Sequence, residues 1–151
     1  MKHIMIDLEM NKIKKQYRED KKLSNELIEI GAVKMDDDFN EVDRYQTYVM
    51  PDYGKMDPHI IKLTGITDDK LEGAPRFKEA MCDFEKWIGG GAVTFYSWSL
   101  ADIRQFQTES SFKEYDSETL RKMEKNWIDF QEEYSRLLGI DKKIRLKQAG
   151  A

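Results

Sequence analysis

Acidic side chains stand at two places in the sequence where strands of a sheet are expected to end. Asp7 and Glu9 are two residues apart at the end of the first predicted strand, so both side chains project from the same face. Asp102 follows the predicted strand of residues 92–98, in the first turn of the next helix. If the two strands are neighbours, the three carboxylates meet, and a divalent cation is the usual physical reason for tolerating such a cluster. The pattern predicts a site for a cation such as Mg²⁺.

Each of these residues also has an ordinary structural interpretation. In a chain this rich in charge, an Asp-x-Glu at the end of a strand arises readily by chance. Ser99 and Asp102 have nearly the spacing of a capping box, in which Ser99 is the N-cap residue and Asp102 binds back to its amide. Only the joint pattern of three carboxylates favours the catalytic interpretation over these alternatives.

The strands that must position the carboxylates can be predicted from hydrophobic patterning. Apolar and polar residues alternate over residues 2–8, which is typical of a strand. Residues 26–35 are apolar and β-branched, and residues 42–50 return as a further strand after the polar turn of residues 36–40, as in an antiparallel hairpin. Residues 92–98 have the composition of a buried strand.

Helix signals follow the hairpin. Asp57 followed by Pro58 predicts an N-cap and a first helical residue, and Gly65 ends this short helix. Apolar residues recur with helical spacing over residues 77–88, and the glycines at 89–91 end that helix.

The remaining pattern completes the expected domain. A helix is predicted from about Ser99, further helices over residues 117–125 and 130–138, and a short strand at 127–129. Residues 11–24 are highly charged and are predicted to be a connection. This order predicts one α/β domain over residues 1–151, with a mixed sheet flanked by helices.

Composition narrows the class of protein. The hydrophobic fraction is 40%, the charged fraction 36% and the net charge −4, which is typical of a soluble globular domain without a global basic field for nucleic acid. Apolar runs of membrane-spanning length are absent from the sequence, so no membrane partner is expected. The single cysteine, Cys82, allows no internal disulfide and predicts a reducing, cytoplasmic location.

Four segments, in the correct order over about residues 2–106, resemble those of the DEDDh (DnaQ-like) 3′–5′ exonucleases: HIMIDLEM, NELIEIGAVKM, HIIKLTGITDD and FYSWSLADIRQF. The resemblance implies an RNase H-like fold. It also implies that Asp7 and Glu9 are the metal-binding pair of the first motif, and that Asp102 is the metal-binding aspartate of the second.

The resemblance further implies a cofactor and a substrate. Members of the family use a two-metal site, here for Mg²⁺ or Mn²⁺, and trim the 3′ end of single-stranded RNA or DNA. Met10, Leu63 and Thr64 would then pack on the terminal base and sugar. Ordinary loop and core packing is the alternative for these three residues.

The third motif of the family, a general-base histidine followed about five residues later by another metal-binding aspartate, has no match in the sequence. His3 and His59 are the two histidines, and neither lies where that motif is expected. Asp141 lacks a histidine partner and is not assigned. The sequence therefore predicts a domain incomplete at its C-terminus, with three of five active-site residues and impaired activity.

Two functions remain open at this stage. The first is a metal-dependent exonuclease, and the second is a non-catalytic module on the same fold that binds nucleic acid or protein. In the family, a C-terminal helix carrying the third motif covers one face of the sheet. If that helix is missing, strands 4–8 and 92–96 would expose apolar side chains, and the chain would self-associate through the uncovered face.

Overall fold

A five-stranded mixed sheet forms the centre of the molecule, which the computed structural model describes over residues 1–17 and 23–132. The strands lie in the order β3-β2-β1-β4-β5. β1 is antiparallel to β2, and β2 to β3, whereas β1 and β4, and β4 and β5, are parallel. The bounds are β1 Lys2–Lys12, β2 Asn25–Met35, β3 Glu41–Tyr48, β4 Val93–Ser97 and β5 Trp127–Asp129. The mixed sheet predicted from the sequence is confirmed.

In the described ranges, a short 3₁₀ helix, Lys15–Tyr17, follows β1, and the α-helices are α1 Pro58–Thr64, α2 Asp68–Leu71, α3 Phe77–Ile88, α4 Ala101–Phe112 and α5 Glu118–Lys125. None of the helices in those ranges is long and apolar enough to cross a membrane. The bounds predicted for α3 are confirmed. The helix predicted over residues 130–138 lies largely outside the described residues.

Helix α1 has the sequence signals that define a short helix. The Asp57 carboxylate accepts a hydrogen bond from the backbone N–H of His59 at 2.8 Å, and Pro58 occupies the first turn. Gly65 ends the helix with φ 74°, a left-handed conformation that glycine adopts without steric penalty. Helix α2 was not predicted, because four residues are too few to show periodicity.

Strand β1 is longer than its hydrophobic pattern indicates. Asn11 and Lys12, predicted as part of a connection, pair with Glu26 and Asn25 of β2. A bulge between Glu9 and Met10 shifts the register just before this extension. The predicted end of the strand was wrong because backbone pairing with β2 keeps Asn11 and Lys12 extended, although apolar and polar residues do not alternate there.

The main core lies between the sheet and helices α3, α4 and α5. Ile4, Ile6, Phe95 and Phe84 are at most 1% exposed in this core. The apolar side chains of strands 4–8 and 92–96, predicted to be uncovered, are therefore largely buried under helices. A second, smaller cluster around Ile28 packs α1 and α2 on the sheet.

A buried ionic cluster connects α4 to the beginning of β2. The ammonium group of Lys113 lies 2.9 Å from the Glu26 carboxylate, 2.8 Å from Glu109 and 2.8 Å from Asp52. Glu26 and Glu109 are 0% and 1% exposed. Although burial opposes its charge, these carboxylates raise the pKa of Lys113 above its ordinary value. The positive charge of Lys113 thus offsets part of the negative charge of these carboxylates and makes their burial less unfavourable.

We predict that Lys113→Met lowers the free energy of unfolding by about 3–5 kcal/mol, because it leaves buried carboxylates without a counter-charge. The matched control is Arg121→Met, which removes a surface pair with Asp116 and should change stability by less than about 1 kcal/mol. Urea denaturation of both variants measures the difference. Equal, small effects would show that the cluster does not depend on Lys113.

Candidate active site

Asp7 and Glu9 lie on β1 on the same face of the sheet. Asp7 is opposite Gly31 of β2, and Glu9 is opposite Glu29. The Asp7 side chain is exposed, whereas Glu9 is half-buried. The two-residue spacing of Asp7 and Glu9 predicts that both side chains project from one face. They do so because β1 pairs regularly with β2 up to the bulge after Glu9.

Asp102 reaches the same region from the first turn of α4. Strand β4, which leads into α4, runs parallel to β1 from Lys2↔Val93 to Met5↔Tyr96. Because the carboxyl ends of parallel strands share one edge of a sheet, Asp102 lies beside the segment that follows Met5. A backbone hydrogen bond from Leu8 to the Asp102 carboxylate joins the two elements.

The capping-box alternative for Ser99 and Asp102 is wrong. The N-cap residue of α4 is Leu100, and it makes no side-chain capping bond. The Ser99 hydroxyl accepts only the Ala101 N–H, at 3.3 Å, and its carbonyl accepts a bond from the Ser97 hydroxyl. The Asp102 carboxylate is therefore directed to β1 rather than to its own helix.

The carboxylates are within electrostatic range of one another. Burial and the charges of Asp7 and Glu9 raise the pKa of Asp102 from 3.8 to about 7, against the opposing effect of the Leu8 hydrogen bond. Asp7 is open to solvent on one side, but the atoms packed around its carboxylate partly desolvate it, and this desolvation together with the charge of Glu29 raises the pKa of Asp7. Desolvation, Asp7 and Glu29 raise that of Glu9. Each ionised group thus makes ionisation of the others less favourable, which is the condition that a bound cation relieves.

Glu29 is a further acidic residue at this edge that the sequence interpretation missed. It lies opposite Glu9 on β2, and its carboxylate accepts a hydrogen bond from the Gln46 side chain at 2.8 Å. Its charge contributes to the raised pKa of both Asp7 and Glu9. The register of the β1–β2 pair would have placed Glu29 beside Glu9. That register depends on the bulge, which cannot be recognised in the sequence.

The donor chemistry fits a hard divalent cation, although the side chains are not closed around one. Asp7, Glu9 and Asp102 offer the carboxylate oxygens that Mg²⁺ and Mn²⁺ prefer. Within residues 1–17 and 23–132, no group of three or more His, Cys, Asp or Glu is arranged to hold a metal ion. Like charges repel when no cation lies between them. The metal site therefore stays a prediction.

The residues predicted to contact a nucleotide have different environments. Leu63, on α1, is 68% exposed, so its apolar side chain is available to contact a ligand, although single exposed leucines are common on protein surfaces. Met10 is half-buried and packs against the main core. The Thr64 hydroxyl donates to the Ile60 carbonyl at 2.8 Å and accepts from the Ile66 N–H at 3.1 Å, so it stabilises the end of α1.

Neither histidine lies among the acidic residues in a catalytic arrangement. His3, near the start of β1, contacts the Tyr96 hydroxyl at 2.8 Å and Asp37 at 3.1 Å. His59 lies in the first turn of α1. Residues 127–151 resemble the stretch that leads up to the third motif of the family, and the part of this stretch from residue 133 onward lies outside the described residues.

Comparisons with known proteins agree with this architecture. The family model RNase_T, described as Exonuclease, matches residues 4–143. The PolC-type DNA polymerase III of Staphylococcus haemolyticus is 32% identical over 87 residues, which are 58% of this chain and 5% of that polymerase. The PolC-type enzyme of Staphylococcus aureus (strain bovine RF122 / ET3-1) is 31% identical over the same length. The chain thus corresponds to a small part of these curated relatives.

Solved structures of low sequence identity share the fold. The nuclease domain of 3′hExo, a DEDDh family member bound to rAMP, has a TM-score of 0.77 and 19% identity, and the match covers 92% of this chain and 71% of that one. E. coli Exonuclease I in complex with a dT13 oligonucleotide has a TM-score of 0.68 and 14% identity, with 91% and 29% covered. The predicted RNase H-like fold is confirmed, and the chain belongs to the Exonuclease family.

Proposed function

We propose that this chain is a metal-dependent 3′–5′ exonuclease that trims the ends of single-stranded RNA or DNA. The observation that carries the proposal is the set of carboxylates of Asp7, Glu9 and Asp102 within electrostatic range at neighbouring strand ends. Membership of the Exonuclease family supports it. A structural ion network would pair such charges with cations, and among the residues that the structure describes no cation contributes to the pKa shifts of these three carboxylates.

Asp7, Glu9 and Asp102 would hold Mg²⁺ or Mn²⁺, which supplies an activated water and stabilises the leaving oxygen in phosphodiester cleavage. The protein contributes the negative charge that selects the ion. Asp102 has a pKa of about 7 and retains part of its proton at neutral pH. Cation binding would displace that proton, so affinity for the metal should rise with pH through this range.

The substrate would enter beside α1. Similar proteins are described with rAMP and with a dT13 oligonucleotide, so both kinds of nucleic acid suit the fold. The exposed Leu63 side chain offers an apolar surface on which a terminal base can pack, and Met10 lies on the strand that also bears Glu9. Thr64 would act mainly by fixing the end of α1, since its hydroxyl is already bonded within the turn.

The printed sequence offers no general base of the expected kind. His3 is hydrogen-bonded to Tyr96 and Asp37, and His59 lies in the first turn of α1. Loss of a positioned general base lowers rates by ~10²–10⁴. We therefore propose that these 151 residues cleave slowly, and that binding of nucleic acid persists when turnover is weak.

We predict little or no exonuclease activity for the 151-residue chain with Mg²⁺ or Mn²⁺. A version extended by a segment with His-x₄-Asp should shorten a 5′-labelled single-stranded oligonucleotide from its 3′ end. In that version, Asp7→Asn should abolish shortening because a metal ligand is lost. Asp116→Asn is the control, since Asp116 is an exposed partner of Arg121. Gel electrophoresis of the products measures the rates.

Rapid, EDTA-sensitive shortening by the unextended chain would contradict the proposed impairment. Full activity of the Asp7→Asn variant in the extended version would contradict the assignment of the acidic site.

We predict that Asp102→Asn is at least as stable as the wild-type chain without metal, and that its advantage grows with pH. The folded-state pKa of about 7 exceeds the ordinary value of 3.8. Between pH 3.8 and about 7, folding is therefore accompanied by proton uptake at Asp102. The stability that the wild-type chain gains from this protonation is lost as the pH rises through about 7. Thermal unfolding in EDTA from pH 4.5 to 8.5 measures the trend, with Asp116→Asn as control. A lower melting temperature for Asp102→Asn at pH 8 would contradict the repulsion.

Self-association of the chain stays a prediction, and we propose one face of the sheet as the surface that would carry it. Met5, Val33, Tyr96 and Ile128 form a half-buried row across four paired strands, and none belongs to a core cluster in the described part of the chain. We expect sedimentation at micromolar concentration to show dimers that Met5→Lys separates. A monomer at all concentrations would contradict it.

A further inference from the structure

Asn11 is a buried amide that serves one segment of the chain. It is 1% exposed and lies two residues beyond Glu9 on β1. Its side-chain Nδ2 donates to the carbonyl of Lys55 at 3.2 Å, and its Oδ1 accepts the backbone N–H of Asp57 at 2.9 Å. Buried polar side chains of this kind impose a defined geometry, because leaving either partner unsatisfied is unfavourable.

These hydrogen bonds continue into helix α1. The Asp57 backbone is held by Asn11, while the Asp57 carboxylate caps the helix by accepting the His59 N–H at 2.8 Å. Helix α1 also packs on β1. A short series of bonds therefore joins the strand of the acidic pair to the helix that carries the exposed Leu63.

The other half of the same loop, residues 51–57, has a separate anchor. The buried Glu26 carboxylate accepts the backbone N–H groups of Asp52 and Tyr53, at 2.7 and 2.9 Å, and it is neutralised by Lys113. Glu26 and Lys113 thus fix where the loop begins, on the side of β2 and α4. Asn11 fixes where it ends, and that end is the start of α1.

We propose that Asn11 is a positioning residue that sets the location of α1 relative to Asp7 and Glu9. It would not touch nucleic acid itself. The inference rests on the proposed function, in which the substrate end lies between the acidic pair and α1. A displacement of α1 would separate the surface that holds the terminal nucleotide from the groups that hold the metal, so binding would weaken although every contacting residue is retained.

A merely structural role would have a different consequence. Ser117→Ala provides the comparison, because the Ser117 hydroxyl caps α5 by accepting the Leu120 N–H at 2.9 Å and donates to the Glu85 carboxylate at 2.7 Å, away from residues 51–57. This change should lower the melting temperature as Asn11→Ala does. Only Asn11→Ala should release the loop and α1. Asn11→Thr retains a group that can both donate and accept, and it should restore part of the effect.

The test combines a local and a functional measurement on the full chain. Hydrogen–deuterium exchange reports on residues 55–64. Fluorescence anisotropy measures the affinity for a fluorescein-labelled single strand of ten nucleotides, tested once as DNA and once as RNA. Ca²⁺ replaces the metal that supports cleavage, so that the strand stays intact. We expect Asn11→Ala to speed exchange in this segment and to weaken binding about tenfold or more, with Asn11→Thr intermediate and Ser117→Ala close to wild type.

Unchanged exchange at residues 55–64 in a folded Asn11→Ala protein would overturn the inference, as would equal loss of affinity in Ser117→Ala. Failure of the wild-type chain to bind either oligonucleotide would overturn the proposed function and the substrate role of Asn11 with it. If Asn11→Ala speeds hydrogen exchange at residues 55–64 but binds the oligonucleotide as tightly as wild type, only the positioning role is overturned. The failure of that role can therefore be distinguished from the failure of the proposed function.

Discussion

Parallel pairing of β1 with β4 brings like charges together, and the rest of the molecule must hold them there. The pairing places Asp102, which follows β4, beside the acidic end of β1. Burial of the Asp102 carboxylate and its repulsion by Asp7 and Glu9 oppose the pairing, and both raise the pKa of Asp102. Burial of Ile4 and Phe95 under the helices favours it. Apolar burial on one face of β1 and β4 thus stabilises their parallel pairing, whereas the carboxylates at their ends destabilise it. Such opposition is usual where a site is adapted to bind a ligand.

Buried polar groups organise the surroundings of this site in a second way. Lys113 is enclosed by carboxylates, and the Asn11 amide is enclosed by backbone groups, so each has its partners within the protein. Both act on the loop of residues 51–57, which is otherwise irregular chain. A loop with satisfied, buried anchors can hold an adjoining helix in one place more firmly than apolar contact alone, because hydrogen bonds are directional. Helix α1 can therefore be short and still present Leu63 at a defined position.

Much of this arrangement could be predicted from the sequence, where local rules are strong. Helix α3 shows full helical periodicity, and α1 has its cap, proline and final glycine, so both were predicted nearly to the residue. The extension of β1 through Asn11 could not be predicted, because it depends on pairing with β2 across a bulge. The same bulge concealed Glu29. Ser99 has the sequence of a cap, but tertiary contact between Asp102 and Leu8 overrides that local preference.

The site itself was predicted only as far as types of residue and strand order allow. Asp7, Glu9 and Asp102 are brought into electrostatic range, and Leu63 is exposed, while its contact with substrate stays a prediction. Sequence patterns do not specify how closely carboxylates approach, since that distance depends on what lies between them. The most direct test is a crystal structure grown with Mn²⁺ and examined for anomalous scattering. The account predicts a peak ~2.0–2.6 Å from carboxylate oxygens of Asp7 and Asp102; no peak there at saturating Mn²⁺ would contradict it.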